Sequence, residues 1–189
     1  MKKDLTELVF IVDRSGSMSG LETDTIGGFN ATLKAHKEAD GQAVVSTVLF
    51  DHKTKVLHDR MPIENVSLMT ERDYQVRGCT ALLDAVGGAI HRISTIHKYL
   101  PEDYKQVKHL ITEKEEAGWD FLFLGANIDA AAEATKIGIP VARAATFIAD
   151  TEGSKTMFGA VCAETINMRT GCSQRDESWK GSIEQDTAA

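Results

Sequence analysis

The sequence predicts an α/β domain built on an open, mostly parallel sheet covered by helices. Three observations carry that expectation. Leu8-Val9-Phe10-Ile11-Val12 and Phe121-Leu122-Phe123-Leu124 are unbroken apolar runs, the pattern of strands buried on both faces as in a parallel sheet. Long segments between the strands carry apolar residues at helical spacing. Strand-like and helix-like segments alternate along the chain, and no internal repeat interrupts them.

Taken in order, the Leu8–Val12 strand ends at a Ser/Gly loop, and Leu21 to His36 reads as a helix with Ile26, Phe29 and Leu33 on one side. Asp40-Gly41 turns the chain into a second strand, Ala43 to Phe50. Asp51-His52-Lys53 then leads into a short third strand, Thr54 to His58, and so tight a link implies an antiparallel hairpin. Met61 to Val76 reads as irregular or partly helical. Gly78-Cys79-Thr80 opens a strong helical stripe through Leu82, Val86, Ala89, Ile93 and Ile96, reaching about Leu100. Pro101-Glu102-Asp103 has the form of another helix start, with Gly118 as the stop. After the Phe121 strand come an Ala-rich helix from Ile128 to Ile137, a short strand from Ala145 to Ala149, and a last helix from Ser154 to about Arg169 carrying Met157, Phe158, Val161 and Cys162. The polar remainder, 170–189, is expected to fray as a flexible tail after a domain spanning 1–169.

A chain of 189 residues suits one such domain and buries enough surface to fold without a staple. Its net charge of −7 argues against general nucleic-acid or anionic-membrane binding, both of which depend on clustered Lys and Arg. Cys79, Cys162 and Cys172 form no Cys-x-x-Cys pair and read as reduced thiols. The apolar run before Asp13 is too short for a signal peptide or a membrane span, so a cytoplasmic protein is expected.

In open α/β sheets, ligands gather at the carboxyl ends of the strands. Asp13-Arg14-Ser15-Gly16-Ser17 sits at such an end and supplies one carboxylate and two hydroxyls at alternate positions. Oxygen donors without imidazole or thiolate suit a hard cation, Mg²⁺ above all, with Gly16 allowing a tight turn between the serines. The competing reading is a plain loop in which Asp13 caps the next helix. Thr80, at the start of another helix, offers a further hydroxyl for the same point.

Val9 to Gly20, followed by Gly78-Cys79-Thr80-Ala81-Leu82-Leu83-Asp84-Ala85, resembles a von Willebrand factor type A domain, especially the small stand-alone bacterial members of that family. The resemblance spans most of residues 5–150. It implies a three-layer α/β/α, doubly wound sheet with one antiparallel edge strand, and a metal-ion-dependent adhesion site. Carried over, Ser15, Ser17 and Thr80 touch Mg²⁺ (or Mn²⁺ or Ca²⁺), and Asp13 acts through water or a hydrogen bond to a ligand. A carboxylate of a partner protein takes the open coordination position. The family is mostly non-catalytic, so a binding module is expected rather than an enzyme.

One family element has no counterpart here. The central strand after the Thr80 helix, ending in Thr-Asp-Gly or Ser-Asp-Gly, is missing, and the only Asp-Gly, Asp40-Gly41, precedes a strand instead of ending one. The expected sheet is therefore short of one central strand, and the metal site is weaker by one carboxylate. The Phe121 strand then either pairs directly with the Leu8 strand, giving five strands, or leaves both edges open. Asp129 and Asp150 also follow apolar runs, but the family places neither at the metal.

Other chemistry finds less support. The histidines show no metal spacing, and His91 and His97 lie six apart on a helix, which suits solvated surface. Neither a Gly-x-Ser-x-Gly elbow nor a phosphate loop is present. The sequence therefore points to a metal-assisted protein-binding module. A metal-independent adaptor is the alternative, and a hydrolase acting through Asp13 or Ser17 a third reading.

Overall fold

The computed structural model describes residues 5–78, 86, 104–173 and 176–188. The Gly78–Leu100 helix expected from the sequence, Thr80 and Cys79 with it, lies outside them except for Val86 and Gly78. The described elements are β1 (Leu5–Asp13), α1 (Glu22–Glu38), β2 (Gln42–Phe50), β3 (Thr54–Pro62), α2 (Tyr104–Glu116), β4 (Phe123–Ala126), α3 (Ala130–Ile137), β5 (Ala144–Phe147), α4 (Thr151–Thr170) and α5 (Gly181–Ala188). The chain is thus a mixed α/β protein.

The strands form two sheets. In the first, β1 pairs parallel with β2 (Leu8 opposite Val45, Asp13 opposite Phe50) and β2 pairs antiparallel with β3, so the expected hairpin edge is present. In the second, β4 pairs parallel with β5. Among the described residues no strand joins β1 to β4, so of the two outcomes open in the sequence, direct pairing of these strands is not the one observed.

Alternation along the strands assigns their faces. Leu8, Phe10 and Val12 turn toward α1, where Phe29 and Leu33 are fully buried, together with Val45, Leu49 and Tyr74. Val9 and Ile11, on the other face of β1, are half-buried, as are Phe10 and Val12; Leu8 is buried. In the smaller sheet, Phe123 and Ala144 pack with Val107, Ile111, Ala134 and Ile137 of α2 and α3. Leu124, Ala126, Ala145 and Phe147 face the opposite way, toward Met157 and Val161 of α4.

Helices α1 and α4 connect the two sheets. Thr151 Oγ1 donates to Asp24 Oδ2 near their N-terminal ends (3.0 Å), the Phe158 ring covers Gly28 midway, and Thr165 and Arg169 meet His36 near their C-terminal ends. The helices therefore run side by side in the same direction. Because α1 follows β1 and α4 follows β5, the carboxyl ends of β1 and β5 lie at the same end of the molecule.

The described residues after Thr170, 171–173 and 176–188, are structured rather than frayed as expected. Gly171, at φ +73°, ends α4; a turn at Ser178–Lys180 and α5 follow, and Trp179 and Ile183 are buried beside Ala145 and Phe147. Two large apolar side chains on one short helical stretch supply what a tail lacks, and Trp179 Nε1 is satisfied by the Ala142 carbonyl (2.9 Å). No described helix is long and apolar enough to cross a membrane.

Candidate metal-ion and partner site

β1 delivers Asp13 as its last residue, and the chain leaves the sheet through a short turn, Gly16–Met18. Asp13 Oδ1 accepts the Ser15 N–H at 2.7 Å, and the Ser15 and Ser17 hydroxyls stand 2.9 Å apart. The structure thus brings together three of the four residues singled out in the sequence; Thr80 is outside the described residues. Ser15 is buried, Asp13 half-buried and Ser17 exposed, so the group runs from the sheet end outward to solvent.

Burial pushes the Asp13 carboxyl above its usual value; the bonds from Ser15 draw it back, and the Asp51 charge adds to the rise. A carboxylate in that position is short of positive charge. Among the described residues, no three His, Cys, Asp or Glu side chains gather closely enough to form a metal cluster. Any ion here would rest on hydroxyls and the single Asp13 carboxylate, a donor set that suits a hard, partly hydrated cation.

The loop is fixed from below by groups the sequence reading did not single out. Tyr74, almost fully buried, donates its hydroxyl to the Asp13 carbonyl at 2.5 Å. Burial raises the Tyr74 phenol, so it stays protonated as a donor. Gly16 N–H donates to the Gly78 carbonyl (3.0 Å) and Arg77 N–H to the Arg14 carbonyl (2.8 Å). Gly16 was expected for its freedom to turn, but its φ is not positive; a Cβ there would sit 3.3 Å from the Gly78 carbonyl oxygen, so the requirement is for close approach. Gly78 does need its freedom: its φ is +69°, and a Cβ would fall 2.3 Å from His52 Nδ1.

Behind the loop lies Asp51, in the β2–β3 turn and fully buried. Its Oδ1 accepts the Lys53 N–H (2.7 Å) and lies 3.1 Å from His52 Nδ1; its Oδ2 accepts Arg77 Nε (2.9 Å) and lies 3.1 Å from Arg14 Nε. Burial alone would raise this carboxyl, but Arg77, the Lys53 N–H, Arg14 and His52 together hold it below its usual value. Asp51 is therefore a buried anion fully engaged by protein groups. Arg14 is itself buried, with Nη2 lacking a hydrogen-bond partner among the described residues. Asp129 and Asp150 are placed elsewhere, as N-caps of α3 and α4, accepting Ala132 N–H and Gly153 N–H.

Two histidines lie in the core rather than at the surface. His58 is hydrogen-bonded to Thr47 and Ser67, and His36 to Thr165 and Arg169. Burial lowers both, with the Arg169 charge bringing His36 to about 4. Cys162 and Cys172 are free thiols.

No protein-family model matches the chain, and no curated protein matches it at a significant level. Among solved structures it is similar to proximal thread matrix protein 1 from the mussel byssus, with a TM-score of 0.59 at 10% identity, and to a second crystal form of that protein at 0.57 and 11%. That likeness is one of fold. Each alignment covers 89% of this chain and 46% of the mussel protein, so the chain spans less than half of that neighbour's length.

Proposed function

We propose that the chain is a shortened domain of the von Willebrand factor A type, a three-layer, doubly wound sheet without one central strand. In this reading the loop after β1 is a metal-ion-dependent site that binds an acidic side chain of another protein. The observation that carries it is the convergence of the Ser15 and Ser17 hydroxyls, 2.9 Å apart, immediately after Asp13 at the carboxyl end of a parallel strand. The layer reading draws support from the parallel α1–α4 packing and from the helices on both faces of β4–β5. Ser15, Ser17 and Thr80 would hold Mg²⁺, with Asp13 as the nearby charge. A hard cation bound there offers an open coordination position to a carboxylate. The role is that of a cytoplasmic binding module rather than an enzyme.

Thermal unfolding with millimolar Mg²⁺ against EDTA tests the ion. The expected result is a higher midpoint with Mg²⁺, lost in Ser17→Ala and Asp13→Asn. In EDTA, Asp13→Asn should leave stability level or raised: the raised folded-state value means that the Asp13 charge opposes folding once pH exceeds it. An unchanged midpoint, with no dependence on Ser17, would overturn the metal reading.

One observation favours the alternative, a metal-independent adaptor. Asp51, the further carboxylate behind the loop, has both oxygens engaged by Lys53, Arg77, Arg14 and His52 and so supplies no second acidic ligand. Partner capture that is equal in Mg²⁺ and in EDTA would decide for that alternative.

A further inference from the structure

Resting on the reading of the β1 loop as a partner site, we propose that Arg77 is a partner-contacting residue. It would select an acidic segment carrying a second carboxylate beside the one that meets the loop. Asp51 has more cationic partners than its own charge requires. Asp51 carries one negative charge, yet two guanidiniums, Arg14 and Arg77, approach the same oxygen, at 3.1 and 2.9 Å. Arg14 is buried and stands close enough to balance Asp51 by itself. Asp51 by itself does not need a second arginine, and one serving the core alone would be buried with it. Arg77 is not: 53% of its side chain is exposed, although Nε is bound to Asp51.

Its placement is fixed at both ends. The Arg77 N–H donates to the Arg14 carbonyl, and the next residue, Gly78, accepts the Gly16 N–H, so Arg77 is stitched to the Asp13–Ser17 loop. The guanidinium is then held at Nε by a buried carboxylate. A guanidinium has five N–H donors in one plane, and among the described residues one of them, Nε–H, is used. The remaining edge, pre-oriented and exposed at the loop rim, matches a carboxylate bidentately.

The charges around it set the direction of approach. Asp13 lies in the loop itself, and Glu22 is turned onto the Gly20 N–H. On the Arg77 side, His52 and the Lys53 backbone share Asp51 with it, and both residues are exposed. The second carboxylate therefore belongs on the Arg77 side. In an extended segment, residues two apart share a face at about 7 Å, the spacing of an acid-x-acid sequence.

Two capped peptides test this, identical except that one carries a single glutamate and the other two glutamates separated by one residue. Binding to the full chain is titrated in Mg²⁺ and again in EDTA. The two-glutamate peptide should bind about fivefold more tightly than the one-glutamate peptide in both buffers, and Arg77→Gln should bring that ratio to about one. In the unmutated protein, the Arg77 Nε–H resonance should shift with the two-glutamate peptide and stay still with the other, which keeps the test open if Arg77→Gln does not fold. A ratio retained in Arg77→Gln, no preference in the unmutated chain, or a motionless Arg77 resonance would each overturn the proposal. Failure of the ion reading shows separately, as equal binding of the one-glutamate peptide in Mg²⁺ and EDTA.

Discussion

Gly16 donates its backbone N–H to the carbonyl of Gly78 across 3.0 Å, joining the loop that ends β1 to a segment more than sixty residues later in the chain. The joint depends on Gly78 holding φ at +69° against the edge of His52. Gly78→Ala should cost about 2 kcal/mol, from the left-handed backbone together with the clash at His52 Nδ1. Urea unfolding of Gly78→Ala and of the double variant with His52→Ala separates the parts. The double variant should recover the steric share and leave the backbone share of about 1 kcal/mol.

Gly27 and Gly28 are neighbours in the middle of α1 and should respond to alanine in opposite senses. Alanine gains about 1 kcal/mol over glycine in a helix interior. At Gly27 nothing lies within 4 Å of the added Cβ, so Gly27→Ala should stabilise by that order. At Gly28 the Cβ would fall 2.1 Å from the Phe158 ring, where α1 and α4 touch. Overpacking of this kind costs about 1–3 kcal/mol and exceeds the propensity gain. Thermal midpoints of the two variants check the sign, and a stabilised Gly28→Ala would show that Phe158 swings aside freely.

Much of this architecture was legible in the sequence because apolar runs and stripes announce themselves. Leu8–Val12 and Ala43–Phe50 lie in strands, and Phe29 and Leu33 are buried as their spacing requires. The Asp13–Ser15–Ser17 loop was legible from residue type and position. Its supports were not, because each carries an ambiguous signal: Asp51 sits in a turn where aspartate is commonplace, Arg14 is a charge between two polar residues, and Tyr74 lies in a segment without periodicity. For His36 a signal existed. It follows Phe29 and Leu33 at seven and three residues, on their stripe, and is fully buried.

That histidine should make the fold acid-sensitive. Arg169 Nη1 points at His36 Nδ1 (3.0 Å), so Nδ1 accepts and the ring is held neutral, leaving Nε2–H to donate to Thr165. The folded-state value is about 4 against 6.5 for a free imidazole. As pH falls below 6.5, the unfolded chain takes up the proton and the folded chain does not. Stability from this residue is therefore whole above about 6.5, declines on acidification and is lost by about pH 4, a loss of about 3 kcal/mol. His58, also lowered by burial, acts in the same sense. Denaturation at pH 7 and pH 5 should show a smaller pH difference in His36→Gln than in the unmutated chain, and an equal difference would place the acid sensitivity elsewhere.

The C-terminal turn and α5 pack as part of the core, and Trp179 measures how strongly. Its ring packs with Ala145, Phe147, Met157, Val161 and Ile183, and its Nε1–H donates to Ala142, which leads into β5. A solvated tail would make Trp179→Ala neutral. A core position makes it cost about 3–5 kcal/mol, from the lost apolar area and the cavity left behind. The indole bond adds a second distinction: Trp179→Phe restores most of the volume but leaves the Ala142 carbonyl without its donor, so it should recover only part of the loss. The readout is the urea midpoint at constant slope, because a change in slope would mean that α5 detaches before the rest unfolds. A Trp179→Ala variant as stable as the unmutated chain would return residues 171–189 to the status of a tail.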